Sequence, residues 1–334
     1  MPIGPYGAAG KLADYTQEIN VIPNTWGRLN ELGLFSSQPV SQRTVIIDQV
    51  DNVLTILPEK PVGSPATVAN NEVISQQAFV IPHIPHNDAL LASDIQGRRA
   101  PGDTGPTIIE VQRSKKLELL RRKHALTLEF LRIGALKGLI IGGSGNTIYD
   151  LYDVFNVTQL SINCALGVAG TDVKGKLLQG KRHIDDNTFN GGISTGYHCL
   201  CSASFFDALT SHPKVAAAYQ YYTSTQEVLR NDVRTNFDYV GITFEEYRAN
   251  GSVDGTSTQF IPNDAAYLFP TGVDDLFVNY YAPANHLDYV NTLGQELYSW
   301  EYKALDGKSL QFVSESNPLP LCRRPQAIVE LTVS

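Results

Sequence analysis

The chain has little of what most function classes require. Four cysteines, Cys164, Cys199, Cys201 and Cys322, in 334 residues are too few and too scattered for a disulfide scaffold, so they read as reduced, buried thiols. A basic surplus is missing too. The 26 Lys and Arg against 34 Asp and Glu leave a net charge of -8, the wrong sign for an electrostatic grip on nucleic acid. No apolar run approaches the roughly 20 residues that a membrane-crossing helix needs. The opening MPIGPYGAAGKLADY has no basic region followed by an apolar one, so no secretory signal is expected. What remains is a chain with a hydrophobic fraction of 43% and a mean hydropathy of -0.14, long enough for one large domain or two ordinary ones.

Its most telling stretch runs from Thr44 to Ile84. Val45, Ile47, Val50, Val53, Thr55 and Leu57 form one alternating run, and Val73, Ile74, Ala78, Val80 and Ile81 form its return. Pro58, Pro61 and Pro65 fall between them and keep the tip out of any central sheet. A lone two-stranded hairpin is marginal in water. The surface it lacks must come from the chain's own core or from another subunit, and an arm of this length makes the second worth carrying.

Before the hairpin, residues 1–40 read as an arm with one short helix from Trp26 to Leu34, capped by Asn24 or Thr25. After it, residues 82–106 carry Pro82, Pro85, Pro101 and Pro106 with three glycines, which is loop chemistry. Thr107 to Lys137 is the most helical segment, a rod of about 45 Å at about 1.5 Å per residue, ended by Gly138. Ile109, Val111, Leu117, Leu120, Leu128 and Leu131 give it a buried face. Arg113, Lys115, Lys116, Arg121, Arg122 and Lys123 give it a basic one. That block calls for an acidic partner surface or a polyanion, and these six cations are candidate inter-subunit contacts together with Val45, Ile47, Val53, Leu57 and Lys60 of the hairpin. Leu139–Ile141, the turn from Gly142 to Gly145, and Thr147–Val154 read as strand, turn, strand. Residues 156–182 suggest a helix, Ser202 caps another, and Pro213 divides it from Val215–Tyr222. Strands alternating with turns are then expected over Tyr239–Tyr247, Phe260–Ile261, Ala266–Phe269, Leu297–Lys303, Ser309–Ser314 and Ala327–Val333. Helices and strands are segregated without βαβ alternation, so the fold class is α+β.

Sites for chemistry are thin. His83, His86 and Asp88 offer two imidazoles and a carboxylate, but their loop spacing matches no known ligand pattern. Cys199 and Cys201 share one face of a strand with His198 nearby and read as core residues. The Gly142–Gly145 turn lacks the lysine and the helix of a phosphate loop and fits a hairpin turn better. Asp185–Asp186 and Asp274–Asp275 read as solvated turns. No nucleophile elbow or zinc-peptidase helix is present. The alternative to an assembly protein is therefore a metal- or phosphate-binding enzyme built on the His83/His86/Asp88 loop or the Gly142–Gly145 turn. The assembly reading, with no catalysis and no cofactor, is the stronger.

The segments YTQEINVIPNTWGRLNELGLF (Tyr15 to Phe35), NDALLASDIQGR (Asn87 to Arg98), FIPNDAAYLFP (Phe260 to Pro270) and the closing block from Gln295 to Ser334 carry a resemblance. The chain resembles the major capsid proteins of tailed bacteriophages, specifically the lambda-type capsid protein E branch. The resemblance implies an N-terminal arm (1–43), an extended loop (44–84), a peripheral domain (85–164) with a long spine helix (107–137), an axial domain (165–304) and C-terminal strands (305–334) returning to the peripheral domain. It implies self-assembly into hexamers and pentamers of an icosahedral head shell that encloses double-stranded DNA without reading its sequence. The implied partners are the chain itself, a portal protein, and scaffold and decoration proteins supplied as separate chains. The implied location is the virion, assembled in the host cytoplasm, with no membrane contact. Lys60 is a single lysine near the loop tip with no recognisable catalytic carboxylate, so no covalent lysine–asparagine crosslink is expected.

Overall fold

A computed structural model describes residues 12–21, 27–50, 74–95, 107–188, 194–222, 234 and 236–334. The arm supplies β1 (Ala13–Asp14), α1 (Thr16–Val21), α2 (Arg28–Glu31) and β2 (Ser36–Pro39). The hairpin strands β3 (Thr44–Val50) and β4 (Ile74–Val80) follow, then β5 (Ile84–Leu91), α3 (Ala92–Ile95) and α4 (Thr107–Lys137). Next come β6 (Leu139–Ile141), β7 (Thr147–Asp150), α5 (Leu151–Val154), β8 (Leu160–Asn163), α6 (Val173–Asn187), β9 (Gly196–Cys201), α7 (Ala203–Ser211) and α8 (Pro213–Tyr222). Strands complete the chain: β10 (Phe237–Tyr239), β11 (Ile242–Glu246), β12 (Asn250–Val253), β13 (Thr256–Gln259), β14 (Ala265–Thr271), β15 (Phe277–Tyr281), β16 (Tyr298–Lys303), β17 (Ser309–Ser316), β18 (Pro318–Cys322) and β19 (Val329–Thr332).

The long helix is where the sequence places it. It stops at Gly138, whose φ of +81 is the left-handed conformation glycine adopts at little cost. A Cβ there would stand 2.1 Å from the Tyr152 ring. The first half of α4 packs on a four-stranded sheet of order β1-β16-β17-β5, with Leu117 and Leu120 meeting Ile19, Leu90, Leu297 and Phe312. Its second half, through Leu131, Ile133, Ala135 and Leu136, enters a larger core shared with the hairpin base and with β14, β15 and β18.

The central strands of a six-stranded sheet of order β10-β11-β9-β14-β19-β8 are buried on both faces, their successive residues pointing to opposite cores. Cys199, Cys201, Ala266 and Leu268 face a core with α6 and α7. Leu200, Tyr267 and Phe269 face the core of the long helix. Polar contacts tie the arm to both units. Glu129 of α4 accepts from the Leu29 amide (2.9 Å) and the Tyr247 hydroxyl (3.1 Å), and Arg28 Nε donates to Glu245 at 2.7 Å.

Several expectations change. The arm holds two short helices rather than one, and Gly27 stands at the N-terminus of the second with no side-chain cap, Asn24 and Thr25 lying outside the described residues. Residues 84–91 are a strand, not loop. Pro85 is tolerated there because β5 lies at the edge of its sheet. Residues 156–182 hold β8 before α6 begins at Val173, where the Asp172 side chain caps the helix by accepting from the Gly175 amide. The strand expected over Thr147–Val154 stops at Asp150, whose side chain caps α5. The last strand, β19, pairs antiparallel with β14 and parallel with β8, and its Val329 and Leu331 complete the core around Ile162 and Leu268. Strands β16 and β17 lie in the sheet beneath α4.

Candidate assembly surfaces

Strands β3 and β4 pair antiparallel with Val45 opposite Phe79 and Ile46 opposite Ala78. One face of the hairpin base is therefore internal. Val45 and Phe79 are buried in the main core with Ile81, and Ile47 packs against it half-buried. Val45 and Ile47 thus anchor the hairpin to its own subunit, because the register turns them inward. The other face points outward, and on it Ile46 is 62% exposed and Val80 58%. The sequence reading missed this pair. Strict alternation would have found it, since whichever of Val45 and Ile46 is inside, the other is outside. The Tyr149 hydroxyl fixes the base by accepting from the Val80 amide at 2.6 Å. Val53, Leu57 and Lys60 lie outside the described residues.

The basic block divides by helical phase. Arg113 meets Glu301 of β16 through two hydrogen bonds of 2.6 and 2.9 Å, Lys116 meets Asp88 of β5 at 2.9 Å, and Arg121 meets Glu296 at 3.0 Å. These three lie within a turn of Leu117, Leu120 and buried His124, on the flank facing the sheet. The acidic partner that the block called for is, for them, the chain's own sheet and the loop leading into it. Burial works to raise the Asp88 carboxyl, but hydrogen bonds from Lys116 and the Ala89 amide outweigh it and hold the group below its usual value. Lys115, Arg122 and Lys123 remain exposed. Arg122 bridges to Glu118 one turn earlier, and Lys123 Nζ donates to His86 Nε2 at 2.9 Å.

The two enzyme candidates dissolve in the geometry. His83 Nδ1 stands 3.0 Å from Glu315 and from Asn317, whereas His86 and Asp88 face Lys123 and Lys116 on α4. No three metal-ligating side chains gather among the described residues. The Gly142–Gly145 segment is the turn between β6 and β7, closed by the Gly142 amide on the Asn146 carbonyl at 2.8 Å. The Gly143 carbonyl accepts from Asp254, the turn residue between β12 and β13, at 3.1 Å. Cys164, Cys199, Cys201 and Cys322 are free and buried, and burial pushes the Cys164 and Cys322 thiols up to about 12, far from a reactive thiolate.

A rod on a small sheet, a helix-flanked sheet and a projecting hairpin together make the fold of phage capsid proteins. Among solved structures, a putative capsid protein from a prophage of E. coli CFT073 matches with a TM-score of 0.60 at 14% identity, covering 97% of this chain and 100% of that one. The capsid of cyanophage P-SCSP1u matches with a TM-score of 0.52 at 12% identity, covering 89% and 86%. At such identities the likeness is one of fold. The sequence carries the rest. The family described as phage major capsid protein E matches residues 11–333. The major capsid protein of Pseudomonas phage KPP10 is 31% identical over 335 residues, 95% of each chain. That of Salmonella phage Felix O1 is 30% identical over 350 residues, covering 96% of this chain and 95% of its own. The chain belongs to the phage major capsid protein E family. Its work is structural: it associates with itself into capsomers and forms the phage head shell.

Proposed function

We propose that the hairpin is the extended loop by which one subunit grips the next. The observation that carries this is its two-sidedness. Its inner face is locked into its own core, and its outer face presents Ile46 and Val80 to solvent, a surface that a second copy would cover. The surface that fits it is the outward stripe of α4, where Val111 (40% exposed) and Leu119 (43%) alternate with the exposed cations Lys115, Arg122 and Lys123. From Thr44 to Ile84 the chain has four acidic residues, Asp48, Asp51, Glu59 and Glu72, against Lys60 alone, so the charges are complementary. In this reading Arg113, Lys116 and Arg121 build the subunit, and Lys115, Arg122 and Lys123 join subunits.

On the same reading the four-stranded sheet with α4 is the peripheral domain, and the helix-flanked six-stranded sheet is the axial domain. The capsomers are hexamers and pentamers of an icosahedral shell around double-stranded DNA. They assemble in the host cytoplasm, with a portal protein at one vertex and scaffold or decoration proteins as separate chains. Deleting Asn52–Asn71 tests the grip. The deleted chain is expected to stay folded by circular dichroism and to form no particles by light scattering and negative-stain microscopy. Normal shells from it would defeat the reading.

A further inference from the structure

The loop joining β15 to β16 turns three aliphatic side chains into solvent: Leu287 is 89% exposed, Val290 59% and Leu293 63%. It is nonetheless firmly held. The His286 ring stacks on Trp300 at 5.0 Å between centroids, and Tyr289 packs edge-on against Tyr298 at 4.8 Å. The Tyr289 hydroxyl donates to Asp14 at 2.5 Å. The Asn285 amide donates to Glu315 at 2.8 Å, and the Gly294 amide to the Val40 carbonyl at 2.9 Å. Gly294 admits no side chain, since a Cβ would stand 2.0 Å from the Tyr281 carbonyl oxygen. Aromatic groups thus point inward and aliphatic groups outward on a pre-formed knob, so little ordering entropy opposes docking.

A hole lies at the other end of the same sheet. β16 runs from Tyr298, beside the knob, to Lys303, its six residues spanning about 20 Å. There a cavity of about 140 Å³ opens between Leu90, Ala92, Ile109 and Leu310, with Lys303 and Lys308 also in its walls. Cavities of about 150 Å³ hold a benzene-sized guest, which leaves room for one branched aliphatic side chain. Among the described residues neither lysine has an ion-pair partner, whereas Asp288, next to Leu287, is 78% exposed with only its own His286 beside it at 3.4 Å.

We propose that Leu287 of one subunit seats in this cavity of another copy, with Asp288 paired to Lys303 and Lys308. Knob and hole are different surfaces at opposite ends of one sheet, so the contact is head-to-tail. A head-to-tail contact that closes makes a ring, as a capsomer requires. The proposal rests on the self-assembly reading and adds a second contact, distinct from the hairpin.

The four native cysteines are buried, which permits a direct test. A chain carrying Leu287→Cys is co-assembled with one carrying Ser309→Cys, in the cavity wall, and the particles are oxidised. The mixture is expected to give a covalent dimer on a non-reducing gel, neither variant alone should give one, and the double variant should give a ladder. Particles that form normally without the mixed dimer overturn this contact and leave the hairpin reading intact. A Ser309→Cys thiol that resists reagents in the isolated subunit also overturns it, because the chain would then fill its own cavity. Independently, Asp288→Lys is expected to reduce particle yield about tenfold and Asp288→Lys/Lys303→Asp/Lys308→Asp to restore it. Failure of the charge swap to restore yield counts against the pairing.

Discussion

At His124 burial keeps the imidazole neutral, with His86, Arg121 and Lys123 adding their repulsion, so the group is pushed down to about 4 from an ordinary value near 6.5. Between those values the unfolded chain binds more protons than the folded one. Stability therefore rises with pH across that window and is lost as pH falls through it, by on the order of 3 kcal/mol. Replacing His124 with Gln is expected to flatten the dependence of unfolding temperature on pH between about 6.5 and 4, as read by calorimetry. A second residue-scale prediction concerns the ion pair beneath the rod, where the side chains of Arg113 and Glu301 are 16% and 6% exposed. Arg113→Ala leaves a buried carboxylate unpaired and is expected to cost about 3 kcal/mol in denaturant unfolding. Arg113→Ala/Glu301→Gln should recover part of that, because the stranded charge is gone. That pairing was not legible in the sequence, since Arg113 and Glu301 are 188 positions apart. Only the helical phase, which puts Arg113 and Lys116 near Leu117 and Leu120, hinted that these cations face inward.

Among the elements, the hairpin and the rod were the most legible, because each carries a long, unbroken periodicity. The short strands were the least. β8 and β15 were missed because a few apolar residues do not distinguish strand from helix, and the order of the six-stranded sheet depends on pairings across most of the chain. The two faces of the hairpin give the cleanest element-scale prediction. Phe79→Ala is expected to destabilise the subunit by about 3–5 kcal/mol, as for other buried aromatic truncations, measured by thermal or denaturant melts. Ile46→Asp/Val80→Asp should change stability by only about 0.5 kcal/mol per site, as at other exposed positions, yet abolish particle formation by light scattering. Shells from the second variant would mean that the outer face is not a contact.

For the whole molecule, net acidity bears on the proposal that the shell encloses double-stranded DNA. A chain with net charge -8, whose Arg113, Lys116 and Arg121 are spent on its own acids, releases few counterions from DNA. The purified subunit is expected not to retard duplex DNA in a gel-shift at physiological salt. A salt-dependent shift there would show a basic surface that the fold concentrates despite the overall charge. The sequence by itself determined the long helix and its end at Gly138, the alternating hairpin, the α+β class and, through its closing block, the family. These follow from local periodicity and residue identity, which neighbours in space do not alter. Tertiary structure alone decided which cations serve the subunit and which remain for others, which hairpin face is outside, where the last strand pairs, and that a knob and a cavity stand at opposite ends of one sheet. Each of those depends on groups far apart in the chain being brought within a few ångströms, and no window of sequence carries that information.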